Sequence, residues 1–343
     1  MSRPRATGFS LVELMVTIAV ALLLLVGIAR VFITSKQSYR VQESTSRMQE
    51  NIRIASDYFN RYLRLADFWG GVPATDVLTV GTPAYDGPGG CADGWIVDPL
   101  GGLVGYAGGA TAPAGLPAGC LADLRYVAGS DLLSLRFANP DRYLDTATLL
   151  SPPASPSIAT NGRYYVRTQV GQRSLLFDAD DAAVRADVAT SRLPGTAADG
   201  VMTYQFQAVA FYIQNNDFGR GPVPTLAMLK LERDQMESEP LVDGIEMLGF
   251  EYGLDTNDDL QVDSYREAGT VADWRQVLSV RVAFVARGDE LDNVVDREQY
   301  PISASRCYGP VGSGCAVTYS EAAARYQRRL VVQEIQLRNR VRA

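Results

Sequence analysis

The chain has 343 residues, 47% of them apolar and 21% charged, with a formal net charge of −7 and a pI near 4.9. That composition suits a folded protein with a sizeable core, in one large or two modest domains, and the acidic balance excludes nucleic acid as a partner because no basic face is available for phosphates. No histidine is present, so the commonest general base and zinc ligand is missing and Ser–His or Cys–His nucleophile pairs are ruled out. Carboxylates, lysine and tyrosine remain, but no spacing singles out a catalytic set, and the chain reads as a non-enzyme.

Met1–Gly8 is short and polar, with Arg3 and Arg5, and from Phe9 to Ala29 the chain is apolar apart from Ser10, Glu13 and Thr17. Such a run spans the hydrocarbon of a bilayer, which takes about 20 residues. The basic residues precede it, so the N-terminus is expected in the cytoplasm and everything after Arg30 outside. No small-residue cleavage site follows Ala29, so the segment is expected to remain as an anchor. Glu13 is the exception within it. A carboxylate in hydrocarbon costs at least about 2.5 kcal/mol and needs a partner or a function. If the chain is cut before Phe9, the new amine of one subunit can pair with Glu13 of its neighbour, an attraction that is strong in low dielectric and that sets axial register. A plain signal anchor that happens to carry a glutamate is the competing reading.

The run Gly8-Phe9-Ser10-Leu11-Val12-Glu13-Leu14-Met15-Val16 resembles the class III signal of type IV pilins and pseudopilins. The resemblance implies that a prepilin peptidase cuts after Gly8, that Phe9 becomes the N-methylated first residue, and that Glu13 is the registry carboxylate. It also implies an α+β, pilin-like fold: a long N-terminal α-helix, transmembrane in its first half, packed on an antiparallel β-sheet globular domain. The expected organisation is a cleaved leader over 1–8, a transmembrane half-helix over 9–30, an amphipathic half over 31–66 and a periplasmic β-rich domain over 67–343.

The amphipathic half is legible in Val41, Thr45, Met48, Ile52, Ala55, Phe59, Tyr62 and Ala66, which recur in steps of four and three on one helical face. The helix is expected from Phe9 to about Leu65, ended by Gly70-Gly71, and roughly 85 Å long at 1.5 Å per residue. Glycine and proline then cluster between Gly70 and Gly119 and near Ser151–Ser157, so a loop-rich insertion is expected around 70–200, with Gly101–Gly109 a flexible loop. Strands are predicted at Asp131–Ala138, Arg163–Val170, Thr203–Ile213, Thr225–Arg233, Gln276–Arg287 and Arg329–Leu337, with a short helix at Ser320–Tyr326 and no clear assignment over Ala179–Asp199.

The four cysteines, Cys91, Cys120, Cys307 and Cys315, form no C-x-x-C motif. In an exported chain an even count suggests disulfides. Three pairings are open, with the nearest-neighbour pairs Cys91–Cys120 and Cys307–Cys315 expected; four reduced buried thiols are the alternative. Asp255, Asn257, Asp259, Gln261 and Asp263 fall at alternate positions, as in the first half of an EF-hand loop, and suit a calcium ion. Against that, Leu260 stands where glycine belongs and no glutamate stands at the twelfth place, so a solvated acidic turn competes equally.

Two C-terminal stretches narrow the family. Val242–Asp255, containing Tyr252-Gly253-Leu254-Asp255, and Arg328–Asn339, closing on Leu337-Arg338-Asn339, resemble the PilW family of type IV pilus minor pilins. That family is related to the J-type pseudopilin of type II secretion. The resemblance implies a minor pilin that helps prime and assemble the pilus in a tip complex. Its implied partners are other minor pilins, the major pilin, the prepilin peptidase and a PilY-type tip adhesin. It would be held single-pass in the inner membrane before reaching the fibre or its tip, and no cofactor is required. A J-type secretion pseudopilin, or a membrane-anchored periplasmic binding protein or enzyme, are the alternatives.

Overall fold

The computed structural model describes residues 10–81, 91, 93–117, 119–121, 125–151, 163–217, 219, 221–232, 235–292 and 294–340. The chain divides into two compact units, Met1–Arg47 and Met48–Ala343. Helix α1 (Leu11–Leu65) supplies nearly all the described residues of the first unit and opens the second. Over its first part the large apolar side chains are exposed, from Leu11 and Val12 through Leu23–Leu25 to Phe32 and Ile33. A helix closes all its backbone hydrogen bonds within itself, which is what lets such a segment lie in hydrocarbon.

Within the second unit α1 buries Met48, Ala55, Phe59 and Leu63, and Ala66 just past its end is buried with them. Four of these lie on the expected stripe, and Leu63 widens it. The off-stripe charges are solvated and pair along the helix, Arg53 with Glu50 and with Asp57. The stop falls where expected, though not at the glycine pair. The helix ends at Leu65, ahead of the glycine pair, and the left-handed residue is Asp67 with φ 62°. Aspartate tolerates that conformation, and here its carboxylate is held by Trp69 Nε1 at 2.7 Å and Arg340 Nε at 2.8 Å.

The largest sheet collects β1 (Val77–Val80), β2 (Leu103–Tyr106), β3 (Leu132–Leu144), β4 (Tyr164–Gln169), β5 (Arg173–Asp178), β6 (Val201–Asp217), β7 (Pro222–Glu232) and β8 (Gln235–Asp243). Its path is β1-β5-β4-β6-β3-β2, with β7 pairing β6 and β8 pairing β7. The long β6 is the spine: β3 runs along one side, while β4 and then β7 share the other. A second sheet holds β9 (Ile245–Leu254), β10 (Ser264–Glu267) and β11 (Val277–Leu291), with the last strand of the chain on the far side of β11. A small third sheet is formed by β12 (Tyr300–Pro301), β13 (Cys307–Pro310) and β14 (Val317–Tyr319). The last strand, β15 (Tyr326–Gln336), completes the second sheet in the order β10-β9-β11-β15.

The expected β-rich domain on the helix is present, divided into two large sheets: both contribute to the core around the part of α1 from Met48 onward, and β1–β5 and β13–β14 are parallel pairs within a mostly antiparallel domain. Phe59 marks the junction, with its ring centroid 5.3 Å from Phe211 of β6, 6.0 Å from Phe250 of β9 and 6.0 Å from Phe284 of β11. The 70–200 segment is corrected. It carries β1 to β5 of the largest sheet, and Leu103–Tyr106 inside the glycine-rich run pairs antiparallel with β3. At Ser320–Tyr326 there is only a 3-10 turn, Ala323–Arg325, and β15 begins earlier than expected. The unassigned Ala179–Asp199 region holds a helix at Ala182–Asp187, N-capped by Asp181 and followed by a π turn.

Candidate functional site

Two regions of this chain bear on function: the exposed apolar helix of the first unit, and the PilW-like end of the second. In the first, α1 is the one helix among the described residues long and apolar enough to cross a membrane, with a best-window mean hydropathy of 2.8. Gly8 and Phe9 lie outside the described residues. Glu13 stands in the first turn of α1, exposed among apolar neighbours. Thr17 Oγ1 donates to the Glu13 carbonyl at 2.9 Å. The Glu13 carboxylate meets no hydrogen-bond or ion-pair partner among the described residues.

In the second unit the two C-terminal stretches turn out to be devices that lock the domain. Leu337 is fully buried in the core around α1, and its amide donates to the Leu278 carbonyl at 2.8 Å. Asn339 Nδ2 donates to the carbonyls of Arg64 at 3.1 Å and Ala66 at 2.8 Å, two groups that the end of α1 leaves without helical donors. The closing leucine-arginine-asparagine is thus a cap delivered from the far end of the chain. Tyr252-Gly253-Leu254 lie in β9, and only Asp255 opens the turn. The ring of Tyr252 packs edge-on to Trp274, with centroids 4.8 Å apart. A Cβ on Gly249 would come 2.1 Å from the Ile302 carbonyl oxygen, so the second sheet and the third-sheet region approach too closely there for any other residue.

A buried charge cluster ties β9, β11, β15 and the 292–326 segment together. Glu246 is 4% exposed and accepts from Arg287 at 3.2 Å and from Arg328 Nε at 2.6 Å; Arg328 also reaches Asp296 at 3.2 Å. Burial alone works against the Arg328 charge, but Glu246 and Asp296 outweigh it and hold the guanidinium more firmly protonated than usual. Burial raises the Tyr319 hydroxyl to about 12, helped by Asp296. Nearby, Arg306 pairs with Asp131, and burial raises the Asp131 carboxyl despite that pairing. No nucleophile–base pair arises from this set. Its acids and bases are matched to one another and carry structure. Sequence reasoning missed the cluster because its members are spread over β9, β11 and β15 and no spacing links them.

In the loop after β9 the acidic side chains take up backbone amides. Asp255 Oδ1 accepts the amides of Asn257 at 3.3 Å and Asp259 at 3.2 Å, and its Oδ2 accepts that of Leu260 at 2.8 Å. Asp259 Oδ1 accepts the Gln261 amide, and Asp263 Oδ2 accepts both the amide and the hydroxyl of Thr256. These oxygens fold the loop on itself, as Asx turns do. Among the described residues no group of three His, Cys, Asp or Glu side chains is gathered as a metal site. Both expected disulfides are present, Cys91–Cys120 and Cys307–Cys315.

A single exposed apolar helix with a lone carboxylate, leading into a helix-on-sheet domain, defines a pilin-like, membrane-anchored subunit. Residues 3–29 match the prokaryotic N-terminal methylation motif. Residues 210–339 match the family described as Type IV Pilus-assembly protein W, PilW, a region running from β6 to the capping asparagine. The start of the chain is thus similar to prepilin N-termini and its C-terminal region to PilW proteins. No curated protein matches it. Among solved structures it is similar to the type IV-like pilin TTHA1219 from Thermus thermophilus, at 8% identity, with a TM-score of 0.33, over 85% of this chain and 96% of that one. The family matches point to a structural assembly protein rather than an enzyme, one that engages other pilins and the pilus machinery.

Proposed function

We propose that this chain is a minor pilin that takes part in priming and assembling the type IV pilus, in a tip complex with other minor pilins. The observation that carries the reading is the joint presence of a methylation motif at one end and a PilW region at the other. On this reading a prepilin peptidase cuts after Gly8, Phe9 is methylated, and Glu13 pairs with the amine of a neighbouring subunit. The place of Glu13 in the first turn of the apolar helix supports that pairing. The domain from Met48 onward folds on the periplasmic face of the inner membrane before the subunit enters the fibre or its tip, where the major pilin and a PilY-type adhesin are its neighbours. The two disulfides suit an oxidising compartment.

Mass spectrometry of the N-terminal peptide, from membranes and from sheared pili, tests this. A peptide beginning at methylated Phe9 in sheared pili is the expected result. The same peptide confined to membranes favours a priming role outside the fibre, or the J-type pseudopilin of type II secretion. An intact Met1–Gly8 leader, in cells that process their other pilins, overturns the reading.

A further inference from the structure

Two short strands of the third sheet are joined in an uncommon way. β13 and β14 run parallel, with Tyr308 opposite Val317, Gly309 opposite Thr318 and Pro310 opposite Tyr319. Parallel neighbours ordinarily need a connection of about a dozen residues or more. Here only the six residues Val311–Ala316 lie between them. The chain returns through two left-handed glycines, Gly312 with φ 84° and Gly314 with φ 85°. The Cys307–Cys315 bond then fastens the returning leg beside the start of β13. The fit is close, since a Cβ on Gly309 would stand 2.8 Å from Ser313 Oγ and 3.1 Å from Cys315 Sγ.

β14 is three residues long and pairs only with β13 in its sheet, a ladder too short to hold a strand by itself. Its other ties are few. Val317 packs on Gly129, Gln299 Nε2 donates to the Ser313 carbonyl at 2.7 Å, and the Tyr319 hydroxyl reaches the carbonyls of Asp296 and Glu298 at 3.5 and 3.4 Å. Yet β14 places a buried group. The Tyr319 ring lies 3.8 Å from the Arg328 guanidinium carbon and 5.2 Å from the Tyr308 ring, so it closes over the Glu246–Arg328–Asp296 cluster. The two bridges also differ in access. Cys307 is partly exposed, whereas Cys91 and Cys120 are both buried.

We propose that Cys307–Cys315 is a redox latch that holds β14 over this charge cluster. Reduction adds two electrons and two protons to the S–S bond and gives two thiols, while the dithiol that supplies them becomes a disulfide. The reverse exchange, with a disulfide-bearing oxidoreductase, closes the latch. With the bond open nothing covalent draws residue 315 back to residue 307, and the 311–319 segment opens locally as a unit. Tyr319 then leaves Arg328, and the paired charges beneath are opened to water while β9, β11 and β15 stay in place. The inference stands apart from the pilin reading, because it rests only on the connection between β13 and β14 and on what β14 covers.

The test is residue-resolved hydrogen exchange on the full-length protein in detergent, before and after dithiothreitol without denaturant. Alkylation and mass spectrometry report which cysteines are free. The expected result is alkylation of Cys307 and Cys315 but not of Cys91 and Cys120. With it, the amides of residues 311–319 exchange at least tenfold faster and those of β9 and β11 are unchanged. Free Cys307 and Cys315 with unchanged exchange over 311–319 overturn the proposal. Faster exchange in β9 and β11 as well also overturns it, since the bond would then hold the whole domain. A bond that resists the dithiol while the domain stays folded overturns the redox step. If both bridges open together, the double variant Cys307→Ser, Cys315→Ser isolates this one. Fast exchange confined to 311–319 is expected there, and slow exchange in that segment, or a variant that fails to fold, overturns the proposal.

Discussion

Asn339 closes α1 from more than 270 residues away in sequence, by donating to the Arg64 and Ala66 carbonyls. Asn339→Ala leaves those acceptors to water or to nothing, so a loss of about 1 kcal/mol in unfolding free energy is expected from urea denaturation. Glu267 acts in a similar way on the 303–306 turn. Burial alone would raise its carboxyl, but the hydroxyls of Ser303 and Ser305, the Ser305 amide and Arg306 outweigh that and hold it below the usual range. A folded pKa below the unfolded one gives stability that is complete above the unfolded value, about 4.3, and that is lost as pH falls through the folded value. Glu267→Gln should therefore be less stable than the parent by on the order of 1 kcal/mol at pH 7, with the gap closing below about pH 4. Denaturation at pH 7 and pH 3 measures both ends. A gap that does not narrow at all as pH falls from 7 to 3 would mean that packing, and not the ionised carboxylate, matters at this position.

At the scale of elements, α1 is the part on which both sheets depend. Phe59 is fully buried between β6, β9 and β11, so Phe59→Ala is expected to cost roughly 3–5 kcal/mol. The loss should appear as one cooperative transition at lower denaturant, since the cavity opens in a core shared by both sheets. Two separate transitions would show that the sheets fold independently of the helix. The stripe that places Phe59 was legible because helical period is a local signal, and six predicted strands fall on β3, β4, β6, β7, β11 and β15 for the same reason: each is rich in β-branched or aromatic residues. Among the strands missed, two carry local signals that conflict with pairing. β2 is four residues inside a glycine-rich run, and β8 contains charges and a proline because it is an edge. The presence of a second sheet was not legible, since strand partners are set by long-range contacts. The helix end at Leu65 was legible, but the part played by Asp67 was not, because its left-handed backbone is stabilised by Trp69 and Arg340 rather than by glycine.

At the scale of the whole molecule, the chain joins a lipid-compatible helix to a domain whose buried cluster of charges is matched internally, and Glu13 is the carboxylate left within the apolar helix. The domain is stabilised by contacts within Met48–Ala343, so a change at residue 13 should leave its unfolding midpoint untouched. In hydrocarbon an unpaired carboxylate costs at least about 2.5 kcal/mol, which corresponds to tens-fold in an equilibrium. The same attraction, once a neighbour's amine is supplied, favours one axial register over the others. Glu13→Gln keeps the shape and removes the charge. The expected outcome is a protein still cut after Gly8, still folded and still present in membranes, but at least tenfold poorer in sheared pili or in the complex that starts them. Quantitative immunoblotting of the two fractions, with the leader state read by mass spectrometry, gives the answer. Wild-type recovery of the variant in pili would remove the registry role from Glu13 while leaving the processing at Gly8 in place. Loss from the membrane fraction itself would instead assign Glu13 to insertion or processing, a step before subunits meet.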